Sequence, residues 1–126
     1  MGIPTLDLFC GGGGSSLGAT KAGAEIILGV DAWPLAIETY KSNFNGRGRE
    51  FTLLPDTKPS EFDLKKGDIE LLLASPECTN HTCAKGARPR CEDSKRTANY
   101  VINFARDLQP EWIVLENVVH MKKWDG

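Results

Sequence analysis

The sequence has no long hydrophobic run, and this excludes a conventional membrane-spanning helix. Such a helix needs roughly 20 consecutive apolar residues, whereas the apolar stretches of this 126-residue chain are much shorter. No signal peptide precedes the first predicted strand. We therefore expect a cytoplasmic protein that has no membrane partner.

A strong charge of one sign is also lacking. The formal net charge is −2, so the composition gives no overall signal for a nucleic acid or a membrane surface. The four cysteines come without a secretory signal, and we expect them to be reduced thiols. The length allows one domain at most.

Short apolar runs alternate with segments of helical spacing, and this alternation predicts an α/β fold. Five runs are interpreted as strands, at Ile3–Cys10, Glu25–Asp31, Phe51–Leu54, Ile69–Ala74 and Trp112–Leu115. The second predicted helix has a core face made of Leu35, Ile37 or Ala36, Tyr40 and Phe44. Right-handed crossovers between the strands would give a mostly parallel sheet.

Four consecutive glycines, Gly11–Gly14, lie between the first strand and the first helix. Glycine permits positive φ and a close approach of a ligand to the backbone, so four of them favour a ligand site over a merely tight turn. The dinucleotide fingerprint G-x-G-x-x-G fits poorly, because its third glycine would fall on Ser16 or Leu17. A nicotinamide cofactor is therefore disfavoured.

Asp31 ends the second predicted strand. An acid at this position is suited to bind the ribose hydroxyls of a nucleoside-containing cofactor. It is equally suited to cap the helix that follows, where Pro34 would occupy an early position. The two roles are compatible.

Cys78 lies in a polar loop just beyond the fourth predicted strand, where open α/β sheets bind their ligands. Taken alone, a free cysteine is as readily an inert buried residue. Gly11–Gly14, Asp31, Asp56 and Glu116 also follow strand carboxyl ends, so all should share one edge of the sheet. This coincidence favours a functional role for Cys78.

Four stretches resemble, in order, the motifs of DNA (cytosine-5-)-methyltransferases. Asp7–Gly14 resembles D-L-F-x-G-x-G-G, Ser75–Thr82 resembles the nucleophile loop P-P-C-Q-x-F-S, and Glu116–Val118 matches E-N-V. Val30–Phe44 is similar to the second motif, an acid followed by a helix that ends near N-F. The resemblance covers nearly the whole chain and implies a Rossmann-like fold of the S-adenosylmethionine-dependent methyltransferase type.

The resemblance implies S-adenosylmethionine as the cofactor. Phe9 would lie against the adenine, and Asp31 would bind the ribose hydroxyls. Asp56, together with Thr57, would accept a hydrogen bond from the adenine amino group. The other cofactor residues that the motifs imply are Gly11, Gly12, Gly14 and Pro76.

The resemblance further implies that a Cys78 thiolate adds to C6 of a cytosine flipped out of double-stranded DNA. Glu116, as a proton donor to N3, would neutralise the charge that develops there. The methyl group then reaches C5, and removal of the C5 proton lets Cys78 leave. The structural alternative for Glu116 is a solvated helix N-cap.

The chain departs from the family pattern at the nucleophile and in its length. Glu77 replaces a proline, and a neighbouring carboxylate disfavours the thiolate. Ala32 replaces the tryptophan that follows the ribose-binding acid, and Trp33 comes one place later. The late motifs and the target-recognition region are lacking, so we interpret residues 1–126 as a partial catalytic domain with little or no turnover alone.

Several alternatives stay open. A partial domain is compatible with a fragment, with one part of a split enzyme that needs a second chain, and with a non-catalytic cofactor-binding remnant. The motifs do not separate DNA from RNA as the substrate. A zinc-binding module is the rival from another class, because four suitable ligands fall within one loop, although without a C-x-x-C pair: Cys78, His81, Cys83 and Cys91.

Overall fold

The computed structural model describes residues 2–54, 56–75 and 99–115. In chain order these form β1 (Ile3–Leu8), α1 (Gly14–Lys21), β2 (Ala24–Asp31), α2 (Pro34–Asn43), β3 (Gly48–Glu50), a 3-10 helix (Pro59–Phe62), β4 (Leu71–Ala74), a helix over residues 99–108 that we call α3, and β5 (Trp112–Leu115). Among these residues, no helix is long and apolar enough to cross a bilayer.

The five strands form one parallel sheet in the order β3-β2-β1-β4-β5. β1 is central: Leu8, at its carboxyl end, pairs with Val30 of β2 on one side and with Ala74 of β4 on the other. Parallel pairing therefore brings three loops to one edge of the sheet. The predicted α/β fold with a parallel sheet is confirmed.

Helices cover both faces of the sheet. Apolar side chains of α3 join the strands in the larger core cluster, whose buried members include Leu6, Leu8, Leu72, Val101, Phe104 and Leu108. Side chains alternate along a strand, so Asp7 points to the opposite face, where α1 and α2 lie. A second cluster forms there from Cys10, Ile26, Ile37 and Tyr40.

The predicted third strand, Phe51–Leu54, is wrong, because the strand is Gly48–Glu50. β3 pairs with the last three residues of β2, and the backbone N–H of Phe51 donates the final bond to the Asp31 carbonyl. Because β2 ends at Asp31, the residues that follow Phe51 have no β2 residue to pair with. The length of the neighbouring strand, rather than the most apolar stretch, fixes where β3 ends.

Leu35 was predicted to lie on the core face of α2, and it is 63 % exposed. The buried residues of this helix are Ala36, Ile37 and Tyr40. A helix turns by about 100° per residue, so a stripe centred on positions 37 and 40 leaves Leu35 on the outer side.

β5 lies at the edge of the sheet and is poorly covered. Its four apolar side chains, Trp112, Ile113, Val114 and Leu115, are 65 %, 52 %, 52 % and 38 % exposed. One edge of β5 pairs with β4, and no strand among the described residues pairs with the other. An exposed apolar edge strand is a pairing surface for further polypeptide.

Gly29 in β2 gives a stability prediction. A Cβ at this position would lie 2.3 Å from Cζ of Tyr40, whose side chain is fully buried. We expect Gly29→Ala to lower the free energy of unfolding by about 2 to 4 kcal/mol, because the ring has no room to retreat. Urea unfolding measures the change.

Gly18→Ala in α1 is the matched control. A Cβ there meets no heavy atom within 4 Å outside its own helix. Alanine is also the better helix former, so the variant should equal the wild type or gain up to about 1 kcal/mol. Equal losses in the two variants would contradict the packing of Tyr40 against β2.

Candidate functional site

The predicted cofactor residues that the structure describes lie mostly at one edge of the sheet. Phe9, Gly11 and Gly12 belong to the turn between β1 and α1, Gly14 begins α1, and Asp31 ends β2. The hydroxyl oxygens of Ser15 and Ser75 are 3.3 Å apart, which ties the start of α1 to the end of β4. The strands thus bring these sequence-distant residues together.

The turn after β1 reverses within a few residues because several of them adopt positive φ. Phe9 leaves the strand at φ 57°, where the sequence predicted that the strand would continue to Cys10. Gly11 has φ 57°, and Gly13, the N-cap of α1, has φ 110°. Non-glycine residues rarely adopt such values, so Phe9 is held there by its surroundings.

Asp31 organises the edge through both carboxylate oxygens. Oδ2 accepts the backbone N–H of Gly11 at 2.8 Å, and Oδ1 accepts the backbone N–H of Trp33 at 2.9 Å. The N-cap of α2 is Trp33, so the predicted capping role of Asp31 is wrong. Each carboxylate oxygen keeps a second lone pair, which remains suited to a ligand hydroxyl.

A cavity of about 530 Å³ opens between the glycine turn and the end of β4. Its lining is polar and backbone-rich on one side and carries an exposed indole on the other: Phe9, Cys10, Gly11, Gly14, Ser15, Asp31, Trp33 and Ser75. We call it the glycine-side cavity. Small side chains and accessible backbone let a ligand lie close to the main chain there.

A second cavity, of about 240 Å³, lies between the ends of β2 and β3. We call it the aromatic cavity, because three aromatic rings contribute to its lining of Phe9, Val30, Asp31, Ala32, Phe51, Thr52, Leu53 and Tyr100. Phe9 and Asp31 line both cavities. The two cavities therefore share part of their lining, and we call the pair the cleft, with an aromatic part, a shared carboxylate and a glycine-lined part.

Three other predicted cofactor residues lie apart from this lining. Gly12 faces Thr39, where an added Cβ would come within 3.7 Å of Cγ2. Asp56 is exposed, and the Thr57 hydroxyl accepts the backbone N–H of Leu54 at 2.8 Å in a turn. None of the three lines either cavity. Pro76 lies outside the described residues.

Sequence reasoning gave no cofactor role to Trp33, Phe51 or Tyr100, which line the cleft. Trp33 was considered only because it stands one place after the position at which the family has a tryptophan. Phe51 was assigned to the predicted third strand, and it directly follows β3; Tyr100 is the second described residue of α3. A search for aromatic residues just after the predicted strands would have found Trp33 but not Phe51, because the predicted third strand begins at Phe51.

The two predicted catalytic residues, Cys78 and Glu116, lie outside the described residues, as do the four residues of the zinc hypothesis. The strands that lead to them are described. Ala74 of β4 pairs directly with Leu115 of β5, and Glu116 follows Leu115 in the chain. Among the described residues, no group of three or more His, Cys, Asp or Glu side chains could hold a metal ion.

Cys10 is a free, buried cysteine at the edge of the glycine-side cavity. Burial raises the pKa of its thiol far above the ordinary value, and the carboxylates of Asp7 and Asp31 add to the rise. A thiol that keeps its proton is a poor nucleophile. Cys10 therefore lines the cavity without being suited to attack a substrate.

Comparison with known proteins finds relatives along the whole chain. The chain is 37% identical over 119 residues to the type II methyltransferase M.HgiDI of Herpetosiphon aurantiacus. The aligned region covers 92% of this chain and 37% of that protein. The chain is also 36% identical to M.HgiGI of the same organism, covering 92% of this chain and 90% of the relative. The chain thus spans little more than a third of the first relative and most of the second.

The fold is shared with a solved structure, that of the S. pombe Dnmt2 methyltransferase. The TM-score is 0.71 at 22% identity, covering 98% of this chain and 36% of the other. A family model described as C-5 cytosine-specific DNA methylase matches residues 3–125. Because this match extends over nearly the entire sequence, the chain belongs to the C-5 cytosine-specific DNA methylase family.

Proposed function

We propose that the protein functions in the transfer of a methyl group from S-adenosylmethionine to C5 of cytosine in DNA. The observation that carries the proposal is the pair of cavities, one aromatic and one glycine-lined, that share Phe9 and Asp31. Family membership supports the reaction, and the relatives, which are named type II methyltransferases, support a DNA substrate.

The cleft suits the three chemical parts of the cofactor. The adenine fits the aromatic cavity, where the rings of Phe9, Phe51 and Tyr100 offer flat apolar surface. The ribose hydroxyls would bind to Asp31, which lines both cavities. The methionine part would lie in the glycine-side cavity, lined by Gly11 and Gly14. Gly12, Asp56, Thr57 and Pro76 remain predicted cofactor residues.

The bound cofactor would supply an electrophilic methyl group, and the protein must make C5 of cytosine nucleophilic. We assign Cys78 to add through its thiolate to C6, which forms an S–C6 bond and places electron density on C5. Glu116 donates a proton to N3 as charge develops there. After methyl transfer, a base takes the C5 proton, the C5–C6 double bond forms again as the Cys78 thiolate leaves C6, and N3 returns its proton to the Glu116 carboxylate.

The substrate base has to leave the helical stack before a thiol can reach C6, so the substrate is double-stranded DNA with the cytosine flipped out. Such a substrate would place the protein in a bacterial cytoplasm, close to the nucleoid. The names of the relatives support a role in a restriction–modification system.

The exposed apolar side chains of β5, and its edge that no described strand pairs with, support a requirement for more polypeptide, either a second chain or further sequence of the same protein. An added strand would pair with the backbone of that edge, and segments packed on the two faces would cover Trp112, Ile113, Val114 and Leu115, which are more than a third exposed. The competing function is that of a cofactor-binding subunit without catalysis, which the same edge favours.

Cofactor binding gives a direct test by calorimetric titration with S-adenosylhomocysteine. We expect the wild type to bind this product and to give no heat with NAD. Asp31→Ala should weaken binding by about tenfold to a hundredfold, because hydrogen bonds to a charged group are lost. Asp31→Asn keeps one acceptor oxygen and should bind with intermediate affinity.

Glu25→Ala is the matched control for this titration. Glu25 is an exposed acid on the same strand, at the amino end of β2. Its removal should leave the affinity for S-adenosylhomocysteine unchanged. Equal affinity of the Asp31 and Glu25 variants, or binding of NAD instead, would overturn the assignment of the cleft.

Covalent trapping tests the nucleophile. Fluorine at C5 of cytosine cannot leave as a proton does, so a DNA duplex with 5-fluorocytosine retains the S–C6 adduct after one methyl transfer. With S-adenosylmethionine present, we expect an adduct from the wild type and from Cys83→Ala, and none from Cys78→Ala. One turnover suffices, so a weakly active chain still accumulates the adduct.

The outcomes of trapping separate the two candidate functions. An adduct with Cys78→Ala would contradict the assigned nucleophile. If the protein binds S-adenosylhomocysteine but forms no adduct, the proposed enzyme activity is wrong and the protein is a cofactor-binding subunit.

A further inference from the structure

Three fully buried polar side chains form a chain of hydrogen bonds beneath the glycine turn. The Ser16 hydroxyl donates to Oδ2 of Asp7 at 2.5 Å, and Oγ of Ser16 lies 2.7 Å from the hydroxyl oxygen of Tyr40. All three residues are 0 % exposed. We call this group the clasp, defined by Asp7, Ser16 and Tyr40.

The clasp closes the turn that lines the cleft. Asp7 lies in β1 just before the turn, and Ser16 lies in the first turn of α1 just after it. The two residues are nine positions apart in sequence. Between them fall all the residues of this segment that line the glycine-side cavity: Phe9, Cys10, Gly11, Gly14 and Ser15.

The hydrogen bonds in the clasp run in one direction. Ser16 has a single hydroxyl hydrogen, and Asp7 accepts it, so the Tyr40 hydroxyl must donate to Oγ of Ser16. Burial raises the pKa of Tyr40 far above its ordinary value, although the bond to Ser16 lowers it. The Tyr40 hydroxyl therefore keeps the proton that it donates.

Tyr40 is itself held firmly against the sheet. Its ring packs where a Cβ on Gly29 would lie 2.3 Å away, and it stacks on Phe44 at a centroid distance of 4.5 Å. A Cβ on Gly13 would come within 2.6 Å of the Phe44 ring and 3.2 Å of the Tyr40 ring. The two aromatic rings thus support the glycine turn from the side opposite the cleft.

A buried polar group of this kind adds little to the stability of the fold. Burying a carboxylate and two hydroxyls carries a desolvation penalty, and an apolar group of the same shape often serves a core as well or better. The hydrogen bonds of such a buried network favour one geometry of the groups that they join. Here the fixed geometry is that of the turn, with its positive φ values at Phe9, Gly11 and Gly13.

We propose that Ser16 and Tyr40 are positioning residues for the cofactor, acting through the glycine turn that they and Asp7 hold in its binding shape. This inference rests on the proposed function of the cleft as the S-adenosylmethionine site. It assigns a binding role to a helix residue and a ring hydroxyl that have no direct place in the lining of the cleft.

Calorimetric titration with S-adenosylhomocysteine, beside urea unfolding of each variant, tests the clasp. Tyr40→Phe removes one hydroxyl and keeps the ring, and we expect affinity to fall about fivefold to tenfold. Ser16→Ala breaks both bonds and should weaken binding further, by about tenfold or more. If Ser16→Ala fails to fold, Tyr40→Phe carries the test alone.

Thr5→Val is the matched control. Thr5 is also 0 % exposed, and its hydroxyl donates to the Ile3 carbonyl at 2.8 Å near the start of β1, away from the cleft. Its loss should reduce stability by an amount similar to Tyr40→Phe while leaving affinity within about twofold of the wild type. A purely structural role predicts the same affinity for both variants.

Amide hydrogen exchange supplies a readout that does not require a ligand. The backbone N–H of Gly11 donates to Asp31, and that of Gly13 donates to the Cys10 carbonyl at 3.1 Å. In Tyr40→Phe these two amides should exchange about tenfold faster relative to the amides between β1 and β2. Thr5→Val should leave that ratio unchanged.

The outcomes separate the two proposals. If the wild type binds and both clasp variants bind equally well, or if Thr5→Val loses as much affinity as Tyr40→Phe, the clasp proposal is overturned. If the wild type gives no heat, the proposed function fails instead, and the exchange of Gly11 and Gly13 still decides whether the clasp holds the turn.

Discussion

The parallel pairing of β1 with β2 and β4 is the constraint on which the rest of the molecule depends. Because Leu8 pairs with both Val30 and Ala74, the chain segments that follow three strands emerge side by side. A carboxylate from β2, a serine after β4 and the glycine turn after β1 then line a single cleft. Residues far apart in sequence thereby become neighbours.

The glycine turn is the least relaxed part of this arrangement, and the surrounding structure holds it from three directions. Asp31 accepts the N–H of Gly11 from the side of the cleft. The clasp joins Asp7 to Ser16 below, and the rings of Tyr40 and Phe44 close the remaining side. When a ligand binds to a preorganised turn, less of the binding free energy is lost to ordering the turn.

Much of the fold was predictable from sequence, because buried parallel strands are short apolar runs and glycines mark the strand-to-helix turn. The wrong third strand shows the limit: Phe51–Leu54 is more apolar than Gly48–Glu50, but the end of β2 decides the pairing. Hydrophobicity also placed Leu35 in the core, and helical phase puts it outside. Tyr100 reaches the aromatic cavity only through the packing of α3, which no local pattern specifies.

The most direct test of the cleft is a crystal structure of the protein with S-adenosylhomocysteine. The account predicts the adenine between Phe9, Phe51 and Tyr100, both ribose hydroxyls within hydrogen-bond distance of Asp31, and the homocysteine part along Gly11 and Gly14. A ligand bound elsewhere, such as the groove at the opposite edge that includes Arg47 and Asn45, with the cleft left open, would contradict it.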